Sequence, residues 1–140
     1  MLARVITFAI DGVDARRVEV EADIRPGLPA FTIVGLADTG VREARERVRS
    51  ALVNSGFEFP QRRITVNLAP ADLRKIGPSF DLPLAIAVLV AGGQLDQARL
   101  DDCAVVGELS LNGELRAVRG ALAFAQGAVR EGRVRLLIPY

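Results

Sequence analysis

Three residue types are absent or scarce in this sequence, which excludes several kinds of chemistry. The 140 residues include no histidine, one cysteine and one lysine. Without histidine there is no Ser-His-Asp triad and no Cys-His pair, and we expect no metal site. Cys103 has no partner for an intrachain disulfide, and its place between Asp102 and Ala104 predicts a buried thiol at the start of a strand.

Long hydrophobic runs are also missing. The longest, residues 82–92, contains a proline and is too short to cross a bilayer. Only six residues separate Arg4 from Asp11, too few for the apolar segment of a secretory signal. Half of the residues are hydrophobic, a quarter are charged and the net charge is +1, which is typical of soluble globular proteins. We therefore expect one cytoplasmic domain over residues 1–140, with no membrane partner.

The strand pattern predicts the class of fold. Strands are expected at residues 2–10, 18–24, 31–36, 64–68, 105–111, 114–118 and 134–139. Asp11-Gly12 and Asn112-Gly113 each separate two of these strands and are typical hairpin turns. A meander of strands is followed by strands alternating with helices. This order predicts an α+β domain with two layers, one mixed sheet and helices mainly on one face.

The stretch around Ser79 leads into the most apolar helix of the chain. Because residues 82–91 have no polar face, this helix is expected inside the core. Its expected core residues include Leu82, Ile86 and Leu89. Asp81 is predicted to cap the helix by accepting from the free N–H groups of its first turn. Ser79 would then lie at a helix N-terminus, where an anion or oxyanion can be held.

Two other helices are predicted. One runs from Asp38 or Thr39 to about Ser55 and carries arginines along one side. The last spans residues 121–130, where apolar side chains recur at helical spacing. The side chains of this last helix that we expect to face the core are Leu122, Ala125 and Val129.

Several motifs together resemble one protein family. They lie at residues 27–29, 32–36, 41–51, 54–60, 64–73, 80–83 and 106–116. Among them are Gly27-Leu28-Pro29 and Phe80-Asp81-Leu82-Pro83. Over nearly all 140 residues the pattern resembles the N-terminal domain of the ComM/YifB family, the magnesium-chelatase-like AAA+ proteins of bacteria.

The resemblance implies a fold and a setting. It implies a Lon-protease-like fold, also that of the second domain of ribosomal protein S-five, placed before an AAA+ ATPase. Members of the ComM type act as hexameric, ATP-driven DNA branch-migration helicases in natural transformation and recombination. The only lysine, Lys75, is followed by isoleucine, so this sequence has no phosphate-binding Gly-x4-Gly-Lys-Ser/Thr loop. ATP and Mg are therefore expected in an ATPase domain outside these residues, with that domain and neighbouring subunits of a hexamer as partners.

The same resemblance bears on catalysis. Lon-type proteases pair a serine after a Gly-Pro turn with a lysine on a later helix, and here Ser79 has the serine's position. The lysine's position falls on Leu122, and an arginine such as Arg119 cannot act as the base because it keeps its proton. A hydrogen bond from Lys75 to Ser79 is conceivable, although a solvated or phosphate-contacting lysine is the favoured interpretation. We expect no catalytic residue, Ser79 serving as a turn and cap residue; a Ser-Lys peptidase is the alternative.

The basic residues suggest a partner. Several guanidiniums on one face would bind DNA phosphates without regard to sequence. The candidate residues are Arg42, Arg45, Arg49, Arg62, Arg63, Arg74 and Lys75. Two alternatives remain open: a surface neutralised by salt bridges from Glu43 and Glu46, and an oligomerisation module that never contacts DNA. The expected function is a non-catalytic accessory domain that contributes to ring assembly, DNA engagement or both.

Overall fold

The computed structural model describes residues 2–133 and 135–139. The strands are β1 (Leu2–Asp11), β2 (Asp14–Arg25), β3 (Ala30–Val34), β4 (Arg63–Ala69), β5 (Cys103–Val105), β6 (Glu108–Leu109), β7 (Leu115–Arg116) and β8 (Arg135–Leu137). The helices are α1 (Thr39–Arg42), α2 (Ala44–Asn54), α3 (Asp81–Ala91) and α4 (Ala121–Arg130). Single 3-10 turns occur at Pro78–Phe80 and Gln97–Leu100.

A long hairpin forms the middle of the main sheet. β1 and β2 pair antiparallel along their whole length, from Leu2 opposite Asp23 to Asp11 opposite Asp14. The turn between them contains Gly12 at a φ of 64°, as the Asp-Gly pair predicts. The sheet order is β3-β4-β2-β1-β5-β8, in which β2 pairs antiparallel with β1 and β4 and the other neighbours are parallel. The predicted mixed sheet is confirmed; Val134, the first residue of the predicted final strand, lies outside the described residues.

The two faces of the sheet are covered by different helices. Side chains such as Val5 and Val20 belong to a large core cluster that also contains residues of α1, α2 and α3. Alternate residues of β1, Ile6 and Phe8, belong to a second cluster with Phe124 of α4. Successive side chains of a strand point to opposite faces, so one hairpin supplies both cores. Helices therefore lie mainly on one face, with α4 alone among the described helices on the other.

The first predicted helix is interrupted. Asp38 caps α1 through its carboxylate, which accepts from Val41 N at 2.8 Å, as expected. Helical hydrogen bonding breaks at Glu43, so the prediction of one continuous helix is wrong at this point. At the break, Glu46 N donates to Glu43 O at 3.1 Å, and the Gly40 carbonyl accepts from the Arg47 side chain at 2.9 Å.

α3 is the interior helix that its composition predicts. Leu84, Val88 and Val90 have no exposed surface, and Leu89 is also buried. The three residues singled out from the sequence differ in burial. Leu89 is a core residue, whereas Leu82 and Ile86 are only partly buried and pack against the cluster from its margin.

The buried face of α4 is not the predicted one. Leu122, Ala125 and Val129 were expected to face the core, but all three are exposed. Phe124, Gly127 and Ala128 are buried instead. Both stripes of the helix are apolar, so periodicity alone could not distinguish them, and the large Phe124 ring fills the cluster with Phe8.

The Asn112-Gly113 turn joins the two strands of a small hairpin that is separate from the main sheet. Gly113 has a φ of 86°, and β6 pairs antiparallel with β7 through Glu108–Arg116 and Leu109–Leu115. The strand predicted over residues 105–111 is therefore divided between two sheets. Its first part belongs to β5, which begins at the buried Cys103 as predicted. Among the described residues, no helix has the length and hydrophobicity needed to span a membrane.

Candidate functional site

Ser79 lies at one side of a cavity beside α4. It sits in the 3-10 turn that follows Gly77, whose φ is 93°, and its carbonyl accepts from Gly107 N at 2.9 Å. The cavity has a volume of about 430 Å³. It is lined by Ile10, residues 76–79, Glu108, residues 117–119 and Phe124. The fold thus brings Ser79 together with the segment before α4, as the Lon-like resemblance implies.

The cavity holds few groups that can activate Ser79. Within residues 2–133 and 135–139, the Ser79 hydroxyl has no hydrogen-bond partner, and it caps neither the 3-10 turn nor α3. Ser79 is thus a turn residue but not the predicted cap. Leu122, at the lysine's expected position, is 73% exposed and does not line the cavity. Arg119 and Glu108 are the ionisable groups at its wall.

Lys75 is not the surface cation that we expected. It is fully buried, and its ammonium donates to the carbonyl oxygen of Gly35 at 2.6 Å and to that of Pro70. Its backbone pairs with the turn after β3, where Lys75 N donates to Leu36 O and Asp38 N donates to Lys75 O. Burial lowers the pKa of the Lys75 amine, and the Asp72 carboxylate acts in the opposite direction. The lysine joins two loops and is removed from the candidate phosphate ligands.

Asp81 forms an ion pair instead of capping α3. Its carboxylate is fully buried and accepts from Arg47 Nε at 2.7 Å, from Arg47 Nη2 at 3.1 Å and from Leu109 N at 3.1 Å. Burial raises the pKa of Asp81, although the hydrogen bonds from Arg47 and Leu109 act against this increase. The pair also raises the pKa of Arg47. The capping prediction is wrong because Arg47, 34 residues away, takes the carboxylate.

Three of the predicted cations lie near the contact between Phe31 and Phe59. The Arg49 guanidinium stacks over Phe59 at 4.9 Å from the ring centroid, and Phe59 contacts Phe31 at 5.7 Å. Arg45 donates to the Phe31 carbonyl at 3.3 Å. Arg62 and Phe59 line the same cleft, which has a volume of about 660 Å³. This cleft is larger than the cavity at Ser79, and of the three arginines Arg62 lines it.

Arg42 is joined to Arg45, whereas Arg63 and Arg74 lie apart from these arginines. Arg42 is exposed on α1, and its carbonyl accepts from Arg45 Nε at 3.1 Å. Arg63 is exposed, but its neighbour Ile64 points into the core, so Arg63 lies on the opposite face of the sheet from α2. Arg74 is exposed in the loop before Lys75.

Two features of this surface were missed in the sequence. Phe57 and Phe59 lie between Arg49 and Arg62, and a Phe-x-Phe pair between arginines was the available signal. The loop that carries them is fixed by Gln94, whose side-chain amide accepts from Glu58 N at 3.1 Å and donates to Glu58 O at 2.8 Å. We call Arg42, Arg45, Arg49 and Arg62 the arginine cluster.

Comparison with known proteins identifies the family. Residues 20–140 match the family model described as subunit ChlI of Mg-chelatase. The chain belongs to this family. It is 53% identical over 132 residues to protein YifB of Escherichia coli (strain K12), which covers 94% of this chain and 26% of that protein. It is 50% identical over 133 residues to competence protein ComM of Haemophilus influenzae, which covers 93% of this chain and 26% of that protein. The ComM/YifB resemblance is confirmed.

A more distant similarity supports the fold. The chain is 32% identical over 128 residues to a Lon protease of Chloroflexus aurantiacus, over 86% of this chain and 15% of that protein. This similarity is consistent with the Lon-like fold expected for a ChlI-family domain. The chain spans about a quarter of the length of YifB and ComM.

Proposed function

We propose that this ChlI-family domain is a non-catalytic accessory domain of a ComM-type DNA branch-migration ATPase, and that it contacts DNA phosphates through the arginine cluster. The observation that supports the proposal best concerns the ion pairing of those arginines. Within the described part of the chain, no ion pair involves Arg42, Arg45, Arg49 or Arg62. Glu43, which the salt-bridge alternative assigned to this surface, lies 3.8 Å from Arg47. Glu46, the other acid of that alternative, forms no ion pair within the described residues, so no carboxylate in salt-bridge contact neutralises the cluster.

The geometry of the cluster favours phosphate binding over base recognition. Three of the four guanidiniums belong to α1 and α2, and contacts between guanidiniums and phosphates carry no sequence information. Phe59 is partly buried beneath Arg49, so the face of its ring that Arg49 covers is not open to a base. Phe57, 42% exposed at the same cleft, is the available ring for stacking on an unpaired base.

The proposal that the domain is non-catalytic rests on the absence of a base bound to Ser79. Glu108, the carboxylate at the cavity wall, forms no hydrogen bond with the Ser79 hydroxyl within the described residues. A serine hydroxyl attacks only when a neighbouring group removes its proton. The Lys75 ammonium is bound to the carbonyls of Gly35 and Pro70, and Arg119 keeps its proton at accessible pH. ATP hydrolysis, with Mg, is assigned in this proposal to an ATPase domain elsewhere in a hexameric parent protein.

Matched charge variants test the DNA contact. Arg45, Arg49 and Arg62 would be replaced together by glutamine, and fluorescence anisotropy with a labelled duplex would report binding at low salt. The control replaces three exposed arginines outside the cluster that form no ion pair within the described residues, Arg17, Arg74 and Arg116, and has the same net charge. We expect binding to weaken markedly in the cluster variant and little in the control. Equal weakening would mean that net charge alone attracts DNA, and no wild-type binding would favour the oligomerisation module.

A further inference from the structure

α4 has two apolar faces, of which the described structure covers only one. Its inner face packs Phe124 and Ala128 against the sheet. Its outer face carries the outer stripe, Leu122, Ala125 and Val129. Leu122 is 73% exposed and Val129 is 79% exposed. Single exposed apolar residues are ordinary, but residues aligned at i, i+3 and i+7 form a face that a helix normally buries.

The orientation of α4 is fixed by its inner face. A Cβ atom on Gly127 would lie 3.0 Å from Phe8 Cε1 and 3.1 Å from Ala15 Cβ, so the helix approaches the sheet as closely as a glycine permits. The Arg130 guanidinium donates to the Ala15 carbonyl at the end of the helix. Turning the outer stripe inwards would expose the Phe124 ring and separate these contacts. A helix that is apolar on both faces and fixed on one requires a second layer.

We propose that the outer stripe is a docking surface for polypeptide of the same natural protein that lies outside residues 1–140. The aligned segment is only 26% of YifB or ComM, so in both proteins a much longer chain accompanies this domain. Among the described residues, only residues 131–133, β8 and residues 138–139 follow α4, and β8 forms one edge of the main sheet. A covalently attached layer has a high effective concentration, so a small apolar contact holds it more firmly than it would hold a separate chain.

The charged residues at the two ends of the outer stripe indicate what kind of surface would pack on it. Arg119 precedes α4 and Arg130 ends it, and both are exposed. Glu131 follows directly and is also exposed. The complementary surface is therefore apolar at its centre. Its edge faces Arg119, which shares a cavity wall with Glu108, at one end, and Arg130 and Glu131 at the other.

Thiol labelling tests this proposal. Leu122→Cys and Val129→Cys would be made both in the natural full-length protein and in the 140-residue chain. The native Cys103 is buried, and labelling would be followed at each introduced cysteine by mass spectrometry. Leu28→Cys is the matched control because Leu28 is 89% exposed in the loop between β2 and β3. Circular dichroism melts would show that each variant is folded.

We expect maleimide labelling at positions 122 and 129 to be roughly tenfold slower or more in the full-length protein, because the covered site reacts only when it opens. Labelling at position 28 should proceed at the same rate in both proteins. Equal rates at 122 and 129 in the two proteins would overturn the proposal. Slow labelling of these positions in the 140-residue chain that becomes slower as its concentration rises would also overturn the proposal. The stripe would then be covered by a second copy of the chain.

Discussion

The guanidinium of Arg47 and the carboxylate of Asp81 form a two-point ion pair between α2 and α3, with N–O distances of 2.7 and 3.1 Å. The carboxylate has no exposed surface, and Leu109 N donates its own hydrogen bond to the same group. Three elements that are distant in sequence thus meet at one side chain. The pair holds α3 under α2 and fixes the start of the helix that follows Ser79.

Asp81→Asn should destabilise the domain by about 3 kcal/mol, the lower part of the range for removing one partner of a buried ion pair. The asparagine removes the buried carboxylate from Arg47 and leaves the exposed Glu43, 3.8 Å away, as partial compensation. Urea unfolding measures the change. As a control, Asp11→Asn breaks the exposed pair with Arg16 and should cost less than about 1 kcal/mol. Similar losses in both variants would show that the Arg47–Asp81 pair has no special role.

Lys75→Met should cost about 1–3 kcal/mol because the buried carbonyls of Gly35 and Pro70 lose their donor. Methionine keeps much of the length of the side chain, so the loss reports the hydrogen bonds more than the volume. Urea unfolding measures this change as well. Arg74→Met, at the exposed neighbouring position, is the control and should leave the midpoint almost unchanged.

The effect of Lys75→Met on the free energy of unfolding should depend on pH. Burial lowers the pKa of Lys75 below its ordinary value of about 10.4, so between the two values the unfolded chain binds more protons than the folded chain. The stability contributed at this position therefore rises with pH across that interval. The unfolding free energy of the wild type minus that of Lys75→Met should increase as the pH approaches 10.4. A difference that stays constant or falls would contradict the burial of a charged amine.

Ser79 should not react as a nucleophile. A serine-directed fluorophosphonate should leave the folded protein unlabelled, since Leu122 stands where a Lon-type lysine would be and Lys75 is engaged elsewhere. Intact-mass spectrometry gives the result directly. Stoichiometric labelling that disappears in Ser79→Ala would instead support the Ser-Lys peptidase alternative.

Two leucine truncations distinguish α3 from α4 in the 140-residue chain. Leu89→Ala removes a core side chain and should cost about 2–5 kcal/mol. Leu122→Ala changes an exposed side chain and should stay within about 0.5 kcal/mol of the wild type. Chemical denaturation of both variants is the measurement. A large loss at Leu122 would mean that the face of α4 has been assigned wrongly.

The sequence predicted what local patterns determine. The Asp11-Gly12 and Asn112-Gly113 turns and the interior position of α3 follow from turn chemistry and from the absence of a polar face. In β2, Val18 and Val20 alternate with Glu19 and are buried, as the period of a strand requires. Such features depend on neighbours in sequence, which is why they could be derived without the fold.

Features that depend on distant partners could not be derived. Asp81 looked like a cap because its partner Arg47 lies on another helix, and Lys75 looked solvated because its acceptors lie in loops without any pattern. The contact of Arg49 with Phe59 likewise needs the turn after α2 to fold back. The choice of the buried face of α4 required the shape of the pocket around Phe8, which no periodicity contains.

The salt dependence of DNA binding tests the central claim most directly. Anisotropy titrations of the wild-type chain with two duplexes of unrelated sequence would be repeated over a range of salt concentrations. With three or four phosphate contacts, log affinity should fall against log salt with a slope of about −3, equally for both duplexes. The Arg45/Arg49/Arg62→Gln variant should flatten that slope. No binding even at low salt, or a slope that the variant leaves unchanged, would contradict a phosphate contact at the arginine cluster.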